Sequence, residues 1–478
     1  METKNWIGGE SVLIQDQGQI VYSPSNLSEE VGVIHYSERS HVFQAEEAAK
    51  QAFRTWSKLT GVTRASYLYQ MANVLEKNQT ELATLACREM GKPITEMMGE
   101  VTRAIHLLRY YAAEGVRSDG ELIPASDVNV LQYSKRVPLG VVGVITPWNF
   151  PVAIPIWKIA PALICGNTVI WKPADNAALT ASKMMEFFSE VNLPEGVLNL
   201  VIGKGSVIGV VLLEEVDFQA VSFTGSTSTG THVASICAKR NIKYQTEMGG
   251  KNAAVVLNDA NLEITIPIIL SGAYRSAGQK CTATSRIIVE EGIYPRFVER
   301  LREAVSGLKA VHALEPTAYL GPVASKSQFE TVSHYVNLAH KEAEIIAEGT
   351  IKSDNDGYFI HPLLVTGVQT DHSLVQEEIF GPVSVLLQAA NFDEAIQLSN
   401  ETIYGLSASV FTNDLSKAHR FLEEAQAGMV RVNQETAGVE YQAPFGGMKH
   451  SSSHTREQGQ AALSFYTTVK TCAIKHTF

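Results

Sequence analysis

The stretch SAGQKCTATSRI, residues 276–287, carries one cysteine, Cys281, between Gly-Gln-Lys and a row of small hydroxyl residues. A thiolate there would be a soft nucleophile for a carbonyl carbon, whereas a packed thiol would be an inert small hydrophobe. Other stretches hold groups that carbonyl chemistry needs. TPWNFP, residues 146–151, offers Asn149, either an amide donor for a developing oxyanion or a turn residue. WKPAD offers Lys172 and Asp175, partners for a ribose or members of a solvated loop. In FTGSTSTG, Gly225 and Gly230 flank Ser226 and Thr227. Free N–H groups at such a helix start bind pyrophosphate, although the pattern is not Gly-x-Gly-x-x-Gly. QTEMGGKN places Glu247, a general base or a surface carboxylate, before two glycines that let the backbone approach a ligand. EEIFGPV, residues 377–383, reads as a helix end running into an apolar strand.

These groups need elements to position them. Residues 45–59, 63–90 and 94–113 show apolar positions at helical spacing. From Pro138 the pattern changes to short apolar runs, GVVGVIT, GNTVIWKP, GVLNLVIG and FQAVSFTG, interleaved with helical stretches at 180–191 and 229–239. That alternation predicts a parallel sheet with crossover helices, which binds ligands beyond the carboxyl ends of its strands. The candidate groups at 146–149, 172–175 and 225–226 each follow such a run. A second α/β set is expected from KNAAVVLND past Ala408. The tail from Ser464 alternates like a strand, one that can pair with another subunit.

Composition narrows the partners. The 478 residues allow two or three domains, and 45% hydrophobic with 19% charged residues suits a large soluble core. A net charge of −11 without Lys/Arg blocks argues against nucleic acid or an anionic membrane surface. The five cysteines are far apart with no Cys-x-x-Cys, which argues against a disulfide framework or a cysteine zinc site and for the cytoplasm. METKNWIGGE shows no apolar stretch preceded by basic residues, so no signal peptide is expected. Residues 138–157 lack charge over a length that could span a bilayer, but four prolines and Asn149 favour a buried strand leaving into a loop.

PWNFP, WKPAD, FTGST, EMGGK, GQKC, EEIFGP and PFGGMK occur in that order over nearly the whole chain. The set resembles the aldehyde dehydrogenase superfamily. The resemblance implies a Rossmann-like cofactor domain (1–117 and 139–249), an α/β catalytic domain (250–448) and a small β oligomerisation arm (118–138 and 457–478) in a homodimer or homotetramer. It implies Cys281 as nucleophile, Glu247 as base and Asn149 in the oxyanion hole. Lys172 counts with that catalytic set and, with Asp175, at the adenosine ribose. Gly225 and Ser226 match the pyrophosphate turn, Glu378 and Phe380 the nicotinamide end, and Thr146, Pro147, Trp148 and Gly205 further cofactor contacts. The implied cofactor is NAD, with NADP possible, and the partner a small aldehyde. PLGVVGVITPWNFPVAIPIWKIAPAL, GQKCTATSR and REQG…FYTTVKT are similar to the 2-oxoglutarate semialdehyde dehydrogenase group. The chain departs from that group at Asp175, usually Glu, and at His450, His454 and Thr455, usually Gly, Gly and Pro. Glu247 speaks against a CoA-acylating relative and the full motif set against a structural scaffold; the alternatives are a broad-range aliphatic or aromatic aldehyde dehydrogenase and a thiol esterase, the last distinguished by NADH formation from an aldehyde.

Overall fold

The structure is a computed structural model that describes residues 1–15, 17–117, 119–353 and 356–476. Its first sheet has seven strands in the order Lys243–Glu247, Ala220–Thr224, Val141–Thr146, Thr168–Pro173, Leu198–Leu200, Asn5–Ile7 and Glu10–Val12. The first five run parallel; the last two join antiparallel. Strand side chains alternate between faces, so a run apolar throughout must be covered on both sides. That is what the apolar runs do here. Val142, Val144, Val169 and Trp171 pack into one cluster, under helices Gly61–Lys77, Gln79–Met90 and Ile94–Glu114. Val141, Ile170 and Val221 pack into another, with Val42 and Ala45 of helix Arg39–Trp56 and Val233 of helix Thr227–Lys239.

The second sheet repeats the logic. Its order is Glu344–Glu348, Leu363–Thr366, Val383–Ala389, Thr284–Glu290, Asn252–Val256, Ser407–Phe411 and Met429–Val432, parallel except at Glu344–Glu348. Val255, Ile288 and Val385 face one core; Val256, Ile287 and Leu386 face the other. A third sheet is antiparallel: Thr467–Lys475 pairs along its whole length with Val130–Pro138, which also carries Leu122–Ile123. The α/β reading with parallel sheets and a small β arm holds.

Two local expectations change. The helical pattern over 63–90 is two helices, because Asn78 leaves helical geometry (φ −108°, ψ 17°) and its side-chain amide donates to the Val74 carbonyl at 2.9 Å. That bond offers the chain an alternative to continuing the helix. The segment after Val141–Thr146 becomes, after a short loop, helix Ala153–Ile164, buried along its whole length. Pro155 lies in its first turn, where an N–H has no helical partner anyway. Two donors at its start, the N–H groups of Val152 and Ala153, bond Glu100 Oε1 at 2.8 and 3.0 Å. A carboxylate suits this positive helix end. Among the described residues no helix is long and apolar enough to cross a membrane.

Arg286, in the middle of the second sheet, is buried and donates to the carbonyls of Lys251, Leu398 and Ser399, each at 2.8 Å. Arg286→Met should leave three buried acceptors without donors. At about 1–3 kcal/mol each, the loss should be at least about 3 kcal/mol in chemical denaturation, with Arg286→Lys recovering part of it.

Candidate active site

The first sheet delivers its groups at the carboxyl ends of its strands. Thr146 and Glu247 are the last residues of their strands, Lys172 is the penultimate residue of Thr168–Pro173, and Gly225 and Ser226 directly follow Ala220–Thr224. Ser226 caps helix Thr227–Lys239, its hydroxyl accepting from the Thr229 N–H. A side chain on Gly225 would strike the Phe223 ring at 2.6 Å, so the turn's backbone stays bare.

The second sheet delivers its groups at the opposite strand ends. Cys281 stands just before Thr284–Glu290, and Glu378 and Phe380 just before Val383–Ala389. Both loops are bent hard. Ser276 (φ 56°) and Ala277 (φ 53°) lie in the left-handed region ahead of Gly278 (φ 69°), and so does Phe380 (φ 55°). Such backbone is costly for residues with a Cβ and persists where surrounding contacts fix it. The contacts are present. The Ser276 N–H and hydroxyl donate to Glu96 at 2.9 and 2.7 Å. Gln328 Nε2 donates to the Phe380 carbonyl at 2.8 Å, and the Phe380 ring meets Trp148 edge-on at 5.5 Å. Asn252 Nδ2 donates to the carbonyls of Cys281 (2.8 Å) and Ala283 (2.9 Å), while its Oδ1 accepts from the Ser407 N–H. Asn252 thus ties the cysteine loop to two strands.

Where the two sets of strand ends face each other, a cavity of about 200 Å³ opens. Pro147, Trp148, Asn149, Gly225, Ser226, Cys281, Glu378 and Phe380 line it, together with Gln328. Eight of the sequence candidates therefore share one space. Asn149 Nδ2 reaches across to the Gln279 carbonyl at 3.0 Å, two residues before the cysteine. An amide nitrogen carries two N–H groups, so one stays available.

The other candidates lie outside this lining. Glu247 is buried behind it: Oε2 accepts from Ser452 Oγ at 2.6 Å, and Oε1 has no hydrogen-bond partner. Thr146 Oγ1 accepts from the Trp171 indole at 2.8 Å. Lys172 and Asp175 form a pair at 3.8 Å at the next strand end. Gly205 opens the π-helical turn Gly205–Gly209, exposed and with free space where a side chain would stand. Its neighbour Lys204 acts electrostatically on Asp175.

Burial dominates the electrostatics. It pushes the Cys281 thiol far above the usual range, helped by the Glu378 and Glu247 carboxylates, while the Cys281 and Thr282 N–H groups pull the other way. Burial and then Glu457 hold Glu247 well above a normal carboxyl, against Ser452, Lys158 and Arg456. Glu378 is pushed up to about 7 by burial, opposed by the Gly250 N–H and Lys251. Burial thus favours the neutral forms of this thiol and of both carboxyls.

Asn252, Gln279, Gln328 and Ser452 escaped the sequence reading. Asn252 stands in the quoted GGKN, and Gln279 in GQKC, but a side-chain amide beside glycine carries no signal of its partner.

Two parallel α/β sheets meeting across a cysteine-centred cavity define the class of protein. The chain belongs to the aldehyde dehydrogenase family: the model of that family matches residues 14–472. It is 46% identical over 476 residues to alpha-ketoglutaric semialdehyde dehydrogenase of Bacillus subtilis, covering 98% of each chain. It is 38% identical over 453 residues to 2,5-dioxopentanoate dehydrogenase of Saccharolobus solfataricus, covering 94% of each. Among solved structures it is similar to betaine aldehyde dehydrogenase of Staphylococcus aureus in complex with NAD+, with a TM-score of 0.95 at 32% identity, covering 98% of this chain and 94% of that one.

A thiol held neutral by burial gains thiolate steadily as pH rises. Alkylation of Cys281 by iodoacetamide in cofactor-free protein should climb about tenfold per pH unit from about pH 7 to 9 without levelling off, followed by peptide mass spectrometry. A plateau near neutrality would mean that the two N–H groups outweigh burial.

Proposed function

We propose that the protein oxidises an aldehyde to a carboxylate at Cys281 with NAD as oxidant, and that its substrate is a small aldehyde with a distal carboxylate, 2-oxoglutarate semialdehyde foremost. The observation that carries the reaction is the shared cavity, in which one space is bounded by a thiol, an amide donor and a bare glycine turn at a helix start. The names of the Bacillus and Saccharolobus relatives support the substrate, and the NAD+ complex of the Staphylococcus enzyme supports the cofactor.

The residues fit a dinucleotide. Gly225 leaves the turn open, and Thr224 Oγ1 is buried beside it without a hydrogen-bond partner. In this reading Gly225 and Ser226 hold the pyrophosphate, Lys172 and Asp175 the adenosine ribose, and Glu378 and Phe380 the nicotinamide end. Thr146, Pro147, Trp148 and Gly205 complete the walls. Bound NAD supplies the hydride acceptor that turns a thiohemiacetal into a thioester. Cys281 ionises, its proton passing to solvent, and the thiolate Sγ adds to the aldehyde carbon as the carbonyl π bond breaks to leave an oxyanion. The free N–H of Asn149 and the Cys281 backbone N–H receive the oxyanion, each worth about 3 kcal/mol. Glu247 takes a proton from the water that releases the acid and restores the thiol. Its Oε1 is uncommitted, while its Oε2 accepts from Ser452.

We assign residues 1–117 with 139–249 to cofactor binding, 250–448 to catalysis and 118–138 with 457–478 to subunit contact in a homodimer or homotetramer; Ser118, Thr477 and Phe478 lie outside the described residues. The arm supports this by its exposed apolar side chains, among them Val128 and Leu131 on one limb and Val469 and Ile474 on the other. Five free cysteines support a reducing cytoplasm.

Cys281→Ala should abolish NADH formation while sparing NAD binding. Glu247→Gln should keep the first turnover within about tenfold of wild type but slow the steady state about 100-fold or more, giving a burst of NADH in stopped flow. Equal loss of both phases would assign Glu247 to thiol activation instead.

A carboxylate at the ribose repels a 2′-phosphate, by about 4 kcal/mol for unit charges 4 Å apart near a protein surface. Asp175 is short, and Lys172 and Lys204 offset its charge. NAD should therefore win with NADP measurable, and Asp175→Ser should narrow the ratio of their kcat/KM values. An unchanged ratio would move discrimination elsewhere.

A further inference from the structure

We propose that the Arg103 guanidinium, reinforced by Arg431, receives the distal carboxylate of the substrate. The inference rests on the reading of that substrate as an acid semialdehyde, a reading that leaves the carboxylate without a named partner.

Arg103 lies on helix Ile94–Glu114, and a chain of contacts leads from it to the thiol. One turn earlier, Glu100 holds the start of the helix that follows Asn149 and Phe150. Arg103 Nη2 donates to Gln458 Oε1 at 2.9 Å. The adjacent Glu457 accepts from the Trp157 indole, Trp157 packs on Phe445, and Phe445 shares an apolar cluster with Cys281 and Val439. On the other side, His106 and Tyr110 of the same helix face meet Tyr441. Arg103 therefore stands between two segments, around Val439–Tyr441 and Gln458, that close on the cysteine.

What marks this arginine is its lack of an anion. Among the described residues no carboxylate oxygen lies within 4.0 Å of Arg103 or Arg431, although each is part-buried. Arg103 bonds a neutral amide. Arg431 bonds the carbonyls of Glu435 (2.9 Å) and Ala437. Burial lowers the pKa of both, opposed at Arg103 by Glu440 and Glu100 and at Arg431 by Glu435 and Glu440, while Arg431 adds a smaller lowering at Arg103. The carboxylates that act on them do so from a distance. Glu100 is committed to Lys92 and two backbone N–H groups, Glu440 is exposed, and Glu435 acts on Arg431 and Lys280. Buried cations are normally paired. Two part-buried guanidinium groups short of an anion, on segments linked to the apolar cluster that holds Cys281, suit a carboxylate, which a guanidinium fork can bind through two N–H groups. Lys280 is nearer to Cys281 in sequence but already faces Glu96 at 3.7 Å.

The test compares 2,5-dioxopentanoate with pentanal, an uncharged aldehyde of the same chain length, in wild type, Arg103→Gln, Arg103→Lys and Arg431→Gln. Glutarate serves as a non-reacting competitor. In Arg103→Gln the ratio of kcat/KM for the acid over the neutral aldehyde should fall at least 30-fold, mainly through KM, and glutarate inhibition should weaken by a similar factor. Arg103→Lys should recover part of the loss, and Arg431→Gln should give a smaller fall. Equal losses on both aldehydes, or a ratio that moves less than threefold, would overturn the assignment. So would unchanged glutarate inhibition. A wild type that does not prefer the acid aldehyde would overturn the substrate reading instead, and the glutarate arm would still judge Arg103. If Arg103→Gln fails to fold, Arg103→Lys and Arg431→Gln decide by the same ratio.

Discussion

Lys158 has no exposed surface, and it is held by an equally buried carboxylate, Glu457. The pair gathers the molecule's separate parts. Glu457 also accepts from the Trp157 indole and from Gln245 Nε2, and Ser222 bridges to Lys158 at 2.9 Å. One ion pair thus joins the helix after Asn149, two strands of the first sheet and the C-terminal segment. An intact buried pair contributes little net stability, but stripping one partner costs about 3–5 kcal/mol, because the other charge is left in a medium that cannot solvate it. Its influence on Glu247 is direct. Glu457 raises that carboxyl and Lys158 lowers it, so the pair sets the charge that the candidate base feels. The apolar wall around Phe445 stands against Trp157, on the same foundation.

The division of labour between the sheets follows from chain direction. Parallel strands present all their carboxyl ends on one side, and ligand sites collect there. The first sheet uses that side for Thr146, Lys172, the Gly225–Ser226 turn and Glu247. The second sheet meets it with the opposite ends of its strands, where Cys281 and Phe380 enter. The thiol is therefore brought to the Gly225–Ser226 turn by the docking of two cores, through loops at 276–278 and 380 that take left-handed backbone. Asn252, Glu96 and Gln328 make that strain tolerable by satisfying the backbone groups the loops leave open.

Much of this was legible in the sequence for a physical reason. Apolar runs long enough to be covered on both faces declare a parallel sheet, and the residues after each run then fall at its ligand-binding edge. Asn149, Lys172 and Gly225 were singled out in that way, and Glu247 by the two glycines that follow it. Cys281 was not distinguishable by spacing from a packed thiol; the order of seven short motifs singled it out. What stayed hidden was pairing at long range. The partner of Lys158 lies 299 residues away, and that of Arg103 lies 355 away. No periodicity carries such information. The break at Asn78 was hidden for the opposite reason, since one local side-chain bond interrupts a pattern that is helical on both sides.

The position of Glu457 has a consequence for biosynthesis. Chains emerge amino end first, and their parts begin to fold as they appear. By the time residue 456 leaves the ribosome, the Cys281 thiol, the Asn149 amide and the Gly225 turn have all been made, together with the strands of both large sheets. Lys158 at that moment has its burial without its counter-charge. Its counter-charge, and the strand Thr467–Lys475 that pairs with Val130–Pro138, arrive only with residues 457–475. A chain clipped before Glu457 would therefore lack the ion pair that joins two strands of the first sheet to the helix after Asn149, and the strand Val130–Pro138 would lack its longest partner.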